Sequence, residues 1–310
     1  MKKIKVVDVS TLLPGPFTSF LLMKHLDCEV VKIEDSNQPD PLMYMRPTKD
    51  GIGLGYQSIN QKKKILNVDF RNNGIDIIKK EIKDADIFLE NFKIGRSYKL
   101  GISYEDLLRI NPHLLYCSIS GFGSKTPLAG KSAHDLNILA LSGYLDQQYA
   151  LGGVPSLPPF LLADICTAYH TTVSLLATLI QNRVPKHLEI SMYDAFLEAM
   201  TVNTYAQQVT KKKYTASDYL MSGALPCYGV FDTKDGGKVA VAALEKPLWV
   251  DFCSHIHRED LVEKQFEREI VHDIAHEMKK FDRMHWLARD LDFCVTPVLA
   301  IQEAVAKRYV

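Results

Sequence analysis

Two proton-active side chains, His134 and Asp164, stand at the starts of apolar segments with helical character. The first opens the run Ala133-His-Asp-Leu-Asn-Ile-Leu-Ala-Leu-Ser-Gly143, and the second closes Leu161-Leu-Ala-Asp164. A helix start offers unpaired backbone N–H groups and a partial positive charge, which suits a group that must face an anion. The connector between them carries Gly143, Gly152, Gly153, Pro155, Pro158 and Pro159, residues that let a chain fold back sharply. The two helix starts are therefore expected to face each other across one cleft and to form a two-base proton-transfer site. The plainer alternative stays open at this level. A histidine ahead of an apolar helix also serves as a structural residue, and an aspartate at a helix start as a cap worth about 1 kcal/mol.

The elements that would position this pair read as α/β. Ile4 to Val9 is a strand, Leu13 to Phe17 a turn, Thr18 to Leu26 a helix and Glu29 to Ile33 a second strand, together a βαβ unit. The turn holds Pro-Gly-Pro instead of Gly-x-Gly-x-x-Gly, so a dinucleotide fingerprint is missing. After a loop over Asp35 to Thr48, strands at Ile65 to Phe70, Ile87 to Leu89 and Leu114 to Ile119 alternate with helices at Gly74 to Ile82 and Tyr104 to Ile110. Such alternation predicts a Rossmann-like, mostly parallel sheet covered on both faces, with ligands beyond the carboxyl ends of its strands. The turns at Asn91 to Gly95 and Gly121 to Gly123 are the places to look.

Downstream, the pattern predicts a helix over Leu161 to Ile180, a strand over Leu188 to Ser191 and a long helix over Tyr193 to Lys211. The polar stretch Tyr214 to Gly223 then leads into a smaller α+β region. There Lys234-Asp-Gly-Gly237 makes a hairpin, followed by helices at Pro247 to Ser254, Glu263 to Phe281 and His285 to Asp290 and an extended Phe293 to Leu299. The expected division is a large domain over 1–213, a small one over 214–295 and a return segment over 296–310.

Lys+Arg and Asp+Glu are each 37 of the 310 residues, so the formal charge is zero. Nothing in that balance points to nucleic acid or an anionic membrane. The lysine runs Lys62 to Lys64 and Lys211 to Lys213 read as solvated faces, with Lys62 and Lys63 as alternative phosphate partners. Six cysteines without a close pair suit reduced thiols. Cys253, His255 and His257, and His272 with His276, lack a third partner at ligand spacing, so no metal is expected. The start is too short and too β-branched for a signal peptide, and no apolar run reaches membrane-spanning length. A cytoplasmic protein is the expectation.

Leu12-Leu-Pro-Gly-Pro-Phe17, Val30-Val-Lys-Ile-Glu34, Leu89-Glu-Asn-Phe-Lys93, Ile110-Asn-Pro-His-Leu-Leu-Tyr-Cys-Ser-Ile-Ser-Gly-Phe-Gly123, Ala133-His-Asp-Leu-Asn137 with Ala140-Leu-Ser-Gly143, and Leu162-Ala-Asp164 follow one another along the chain. In that order they resemble the CoA-transferase family III superfamily. His134 in Ala-His-Asp-x-Asn, Lys234-Asp-Gly-Gly237 leading to Ala243-Leu-Glu245, and Asp292-Phe-Cys-Val-Thr-Pro-Val-Leu299 are similar to the α-methylacyl-CoA racemase branch.

The resemblance implies inversion at the α-carbon of a 2-methylacyl-CoA. His134 and Asp164 would be the two bases, with Glu245 supporting His134. In water the two side-chain types titrate at roughly 6.5 and 3.9, and desolvation of the aspartate would match them. The N–H groups at the start of the Asp164 helix are the expected donors to the enolate oxygen. The resemblance also places CoA at Asn67, Val68, Asp69 and Phe70, at Asn91 and Lys93, and at Ala133, Asp135, Leu136, Asn137 and Ile138. It implies no cofactor beyond the CoA of the substrate, and an interlocked homodimer sharing its active site. Two other readings stand beside it: CoA transfer to a carboxylic acid through an aspartyl intermediate at Asp164, and a shortened paralogue that binds CoA without turnover. The departures from the branch are Asp35 in place of an arginine, Lys93 in place of another, Ala133 and Pro185 in place of glycines, a bulky Ile165-Cys-Thr-Ala-Tyr169 expected close to the thioester, and an end at Val310 that is early for the family.

Overall fold

The hydrophobic strand runs of the first half lie side by side, and the inner ones bury both of their faces. A computed structural model describes residues 3–149, 156–182, 184–212, 223–288 and 290–307. Its main sheet has six strands: β1 (Ile4–Asp8), β2 (Cys28–Asp35), β3 (Lys64–Val68), β4 (Ile87–Glu90), β5 (Leu115–Ser120) and β6 (Lys186–Ser191). Their order is β3-β2-β1-β4-β5-β6, and all pairs are parallel. Alternate residues feed two cores. Val6, Val30, Ile87, Leu89 and Cys117 pack with Leu22, Leu139, Ala163 and Leu175 on one face. Val7, Val31, Ile33, Phe88 and Tyr116 pack with Ile78, Ile82 and Leu107 on the other. Burial on both sides is what permits an all-parallel sheet.

Helix α1 (Pro14–His25) begins at the proline of the Pro-Gly-Pro turn, earlier than Thr18. Proline suits a first helical position, where its missing N–H would have no partner anyway. Gly15 is required there, since a Cβ would lie 2.3 Å from the Cβ of Ser10. Helix α2 (Gly74–Ile82) covers the opposite face. Two further helices carry the candidate bases, α3 (Asp135–Leu141) and α4 (Leu162–Ile180). The connector residues 150–155 and most of the polar stretch 214–223 lie outside the described residues.

The chain divides into two compact units, Met1–Leu145 with Ser156–Thr210, and Asp146–Pro155 with Lys211–Val310. The second has a three-stranded antiparallel sheet of β7 (Tyr228–Asp232), β8 (Lys238–Ala242) and β9 (Val295–Pro297), with β8 central. Its core gathers Trp249, Phe252, Cys253, Ile274 and Trp286. Residues 296–307 stay with this unit, as Pro297 pairs with Val239 and Glu303 accepts from both terminal nitrogens of Arg283.

Three expected helices differ. Tyr193 to Lys211 is two helices, Met192–Ala199 and Thr201–Thr210, parted at Met200. Glu263 to Phe281 is two 3₁₀ turns and a shorter helix, Val271–Met278. The break falls where the buried Gln265 side chain donates to the carbonyls of Ala243 and Leu244 at 2.9 and 2.8 Å, a tertiary demand that overrides local preference. His285 to Asp290 is replaced by a 3₁₀ turn over Arg283–Leu287. Among the described residues no helix is long and apolar enough to cross a membrane.

Candidate active site

The sheet order reverses direction between β1 and β4, the place where parallel sheets of this kind open a crevice. Asn91, following β4, clamps the backbone of Thr11, following β1. Its side-chain oxygen accepts the Thr11 N–H at 2.9 Å, and its amide donates to the Thr11 carbonyl at 2.8 Å. Gly121, at the exit of β5, lets the His134 segment come close, because a Cβ there would stand 2.7 Å from that of Ala133.

His134 occupies the N-cap of α3, exposed to solvent, with its backbone N–H held by the Asn137 side chain at 3.0 Å. Asp164 lies in the first turn of α4 and is buried. The buried Asp135 joins the two starts. Its Oδ1 accepts the N–H groups of Ala163 and Asp164, at 2.6 and 3.2 Å. Those N–H groups were the expected enolate donors, and Asp135 already occupies them.

Two cavities meet at this junction. One, of about 260 Å³, runs over the crevice and is lined by Thr11, Asn91, Lys93, Gly121, Lys131 and Ala133 among others. The second, of about 380 Å³, is lined by Leu13, Leu42, Leu136, Leu139, Phe160 and Leu161, with no lysine or arginine among the described residues of its wall. Leu12, His134 and Asp164 are the residues common to both. Ile165 to Tyr169 line neither: Thr167 donates back to the Ala163 carbonyl at 2.7 Å, and Tyr169 packs edge-on against Phe17. These bulky side chains thus stand outside both cavity walls, as the helical repeat sends successive side chains to other faces.

Burial pushes the Asp164 carboxyl up to about 7, and the neighbouring Asp135 adds to the rise. That brings it into the range of an imidazole, so that the carboxyl can exist in either protonation state near neutral pH. The first unit holds a second buried charge cluster. Lys63 is neither a solvated lysine nor a phosphate partner, since its buried ammonium donates to the Pro16 carbonyl at 2.7 Å and faces Asp8 Oδ2 at 3.4 Å. Burial pulls that ammonium down to about 8, against the attraction of Asp8.

Of the positions expected to hold CoA, Asn91, Lys93 and Ala133 line the polar cavity, and Asp135 and Leu136 the apolar one. Phe70 shares a third cavity of about 230 Å³ with Lys93, Asp35 and Arg96. Asp69 holds the Arg71 N–H at 2.8 Å, Asn67 is exposed and Val68 half-buried. Asn137 caps His134, and Ile138 is buried in the core beneath. Glu245 belongs to the second unit, at the N-cap of the helix Lys246–His255. Sequence reasoning missed Leu12, Lys131 and Phe160. Leu12 stood there only as the first residue of the Leu-Leu-Pro-Gly-Pro-Phe motif, and the apolar character of Phe160, just ahead of Leu161-Leu-Ala-Asp164, is the signal that could have found it.

The family model described as CoA-transferase family III matches residues 1–310. The chain belongs to CoA-transferase family III. Among family III relatives, the human succinyl-CoA:glutarate CoA-transferase is 28% identical over 277 residues, covering 85% of this chain and 60% of that protein. The mouse alpha-methylacyl-CoA racemase is 27% identical over 321 residues, covering 98% and 79%. The chain thus spans less than two thirds of the length of the human relative, and it resembles family III proteins named for both reactions. A CaiB/BaiF family protein from Brucella suis shares the fold, with a TM-score of 0.83 at 22% identity over 98% of this chain and 85% of that one.

Proposed function

We propose that the chain inverts the α-carbon of a 2-methylacyl-CoA thioester by two-base proton transfer between His134 and Asp164. The observation that carries the reading is the junction itself: both side chains stand where a polar cavity and an apolar cavity meet. The thioester would span the junction, with its pantetheine arm over the crevice and its acyl chain among Leu136, Leu139 and Phe160. One base takes the α-proton and leaves an enolate, and the protonated partner returns a proton from the opposite face. Among the described residues the apolar cavity has no cation for a distal carboxylate, and burying a carboxylate unpaired would be costly. That favours an aliphatic acyl group over the dicarboxylic acids named in several transferase relatives.

A second copy of the chain is part of the proposal. Exposed Tyr169, Val173, Ile180, Val202, Tyr205 and Val209 leave an apolar surface on two helices, of the kind that associating proteins cover. The second reading is CoA transfer through an aspartyl intermediate at Asp164, supported by the human relative. Chiral analysis of the recovered thioester separates the two. Racemisation converts either pure epimer into the mixture without an acceptor acid. Transfer keeps the configuration, requires the acid, and leaves an acyl-enzyme that hydroxylamine traps.

A further inference from the structure

Leu12 is the third residue shared by the two cavities, and its backbone is unusual. Its φ is 64°, in the left-handed region that residues with a Cβ rarely enter. Buried groups hold it there from both sides. The Leu12 N–H donates to Asp40 Oδ1 at 2.9 Å, and the same oxygen accepts the Leu42 N–H at 3.0 Å. The other oxygen, Oδ2, has no hydrogen-bond partner among the described residues and lies 3.6 Å from the Lys32 ammonium. Lys32, fully buried, donates to the Ser10 carbonyl at 2.7 Å and lies 3.4 Å from Glu34 Oε1, which also takes the Tyr56 hydroxyl at 2.8 Å.

Lys32 thus grips the turn two residues before Leu12, Asp40 grips Leu12 itself, and Asn91 grips Thr11 between them. Burying such charges is expensive, and replacing them by apolar residues often stabilises a protein. Their position under a strained residue at the site gives them a purpose that fold stability does not.

We infer that Asp40 and Lys32 are positioning residues, which hold Leu12 as the wall between the acyl and thioester cavities and thereby fix the α-carbon between His134 and Asp164. The inference rests on the proposed function for its kinetic consequence, but the anchoring of Leu12 stands apart from it. Inversion needs the reacting carbon within reach of both bases, and a misplacement of about 1 Å costs on the order of a hundredfold in rate. Loosening Leu12 should therefore lower kcat and leave KM nearly unchanged, because most of the CoA lies elsewhere.

The test is a double-mutant cycle on Asp40→Ala and Leu12→Gly. Asp40→Ala should lower kcat by roughly tenfold or more at constant KM. In the Leu12→Gly background the same change should cost less than about threefold, because glycine enters the left-handed region without an anchor. Losses that simply multiply would overturn the inference. Amide hydrogen exchange gives a readout without substrate: the Leu12 N–H should exchange on the order of a hundredfold faster in Asp40→Ala than in wild type. Equal exchange overturns the anchor even if the enzyme turns over, whereas a wild-type protein without turnover overturns the proposed function and leaves the exchange result to judge the anchor. Should Asp40→Ala fail to fold, Asp40→Asn keeps the acceptor oxygen and should keep the slow exchange, and its loss there would count against the inference.

Discussion

Asp135 accepts the backbone N–H of Asp164, 3.2 Å away, so the carboxylate next to His134 caps the helix that carries the other candidate base. It accepts the Ala163 N–H as well, at 2.6 Å. Removing a buried acceptor leaves both donors without a partner, and Asp135→Ala should cost about 2–3 kcal/mol of stability, read by urea denaturation. Asp135→Asn keeps an acceptor and removes the charge, so the Asp164 carboxyl should titrate lower than in wild type when followed by NMR. An unchanged titration would contradict the link.

The raised Asp164 carboxyl has a consequence for stability against pH. It titrates at about 7 in the folded chain and at roughly 3.9 in an unfolded one. The folded state holds the proton more tightly, so this group's contribution falls as pH rises from about 4 through about 7 and is level above. Asp164→Asn is neutral throughout. Its stability relative to wild type should therefore grow by roughly 2–4 kcal/mol between pH 4 and pH 8. Denaturation curves of equal pH slope would show that Asp164 is not perturbed.

Lys63 and its neighbour Lys62 should behave oppositely. Lys63 is buried against Asp8, whereas Lys62 is exposed. Lys63→Met removes one of two buried ammonium groups that act on Asp8, whose carboxylate keeps Ser10, Ser19 and Lys32, and should destabilise by about 2–3 kcal/mol. Lys62→Met should change stability by less than about 0.5 kcal/mol. Comparable effects would mean that the buried pair is wrongly identified.

The apolar cavity sets an acyl preference. Each methylene buried in it is worth about 0.8 kcal/mol, so kcat/KM should rise up to about fourfold per added carbon until the cavity is filled. Succinyl-CoA, whose α-carbon is a CH2 that can exchange but not invert, has a distal carboxylate with no cation to meet it among the described lining residues, and should exchange its α-hydrogens more slowly than a 2-methylacyl-CoA of equal chain length. Competition assays on purified thioesters give the ratio, and a preference for succinyl-CoA would remove the case for an aliphatic substrate.

Much of the fold was legible because strand burial writes itself as short β-branched runs. Val6 and Val7 face opposite cores, and the alternation of such runs with amphipathic helices implied the parallel sheet. His134 and Asp164 were singled out from the two helix starts, and both line the same two cavities. What stayed hidden depended on distant partners. Lys63 looks like part of a solvated lysine run until Asp8 is placed beside it, and the break at Gln265 follows from carbonyls about twenty residues earlier in the chain. Leu12 enters the left-handed region because Asp40 takes its N–H, which no local pattern reveals.

The central claim is proton transfer by two bases at one carbon. A single epimer of a 2-methylacyl-CoA, incubated with the protein in D2O and followed at the α-hydrogen by NMR, tests it most directly. The account predicts that deuterium enters as configuration inverts, and that His134→Ala and Asp164→Ala each abolish inversion. A protein that binds the thioester, exchanges no α-hydrogen and leaves the epimer intact would contradict it.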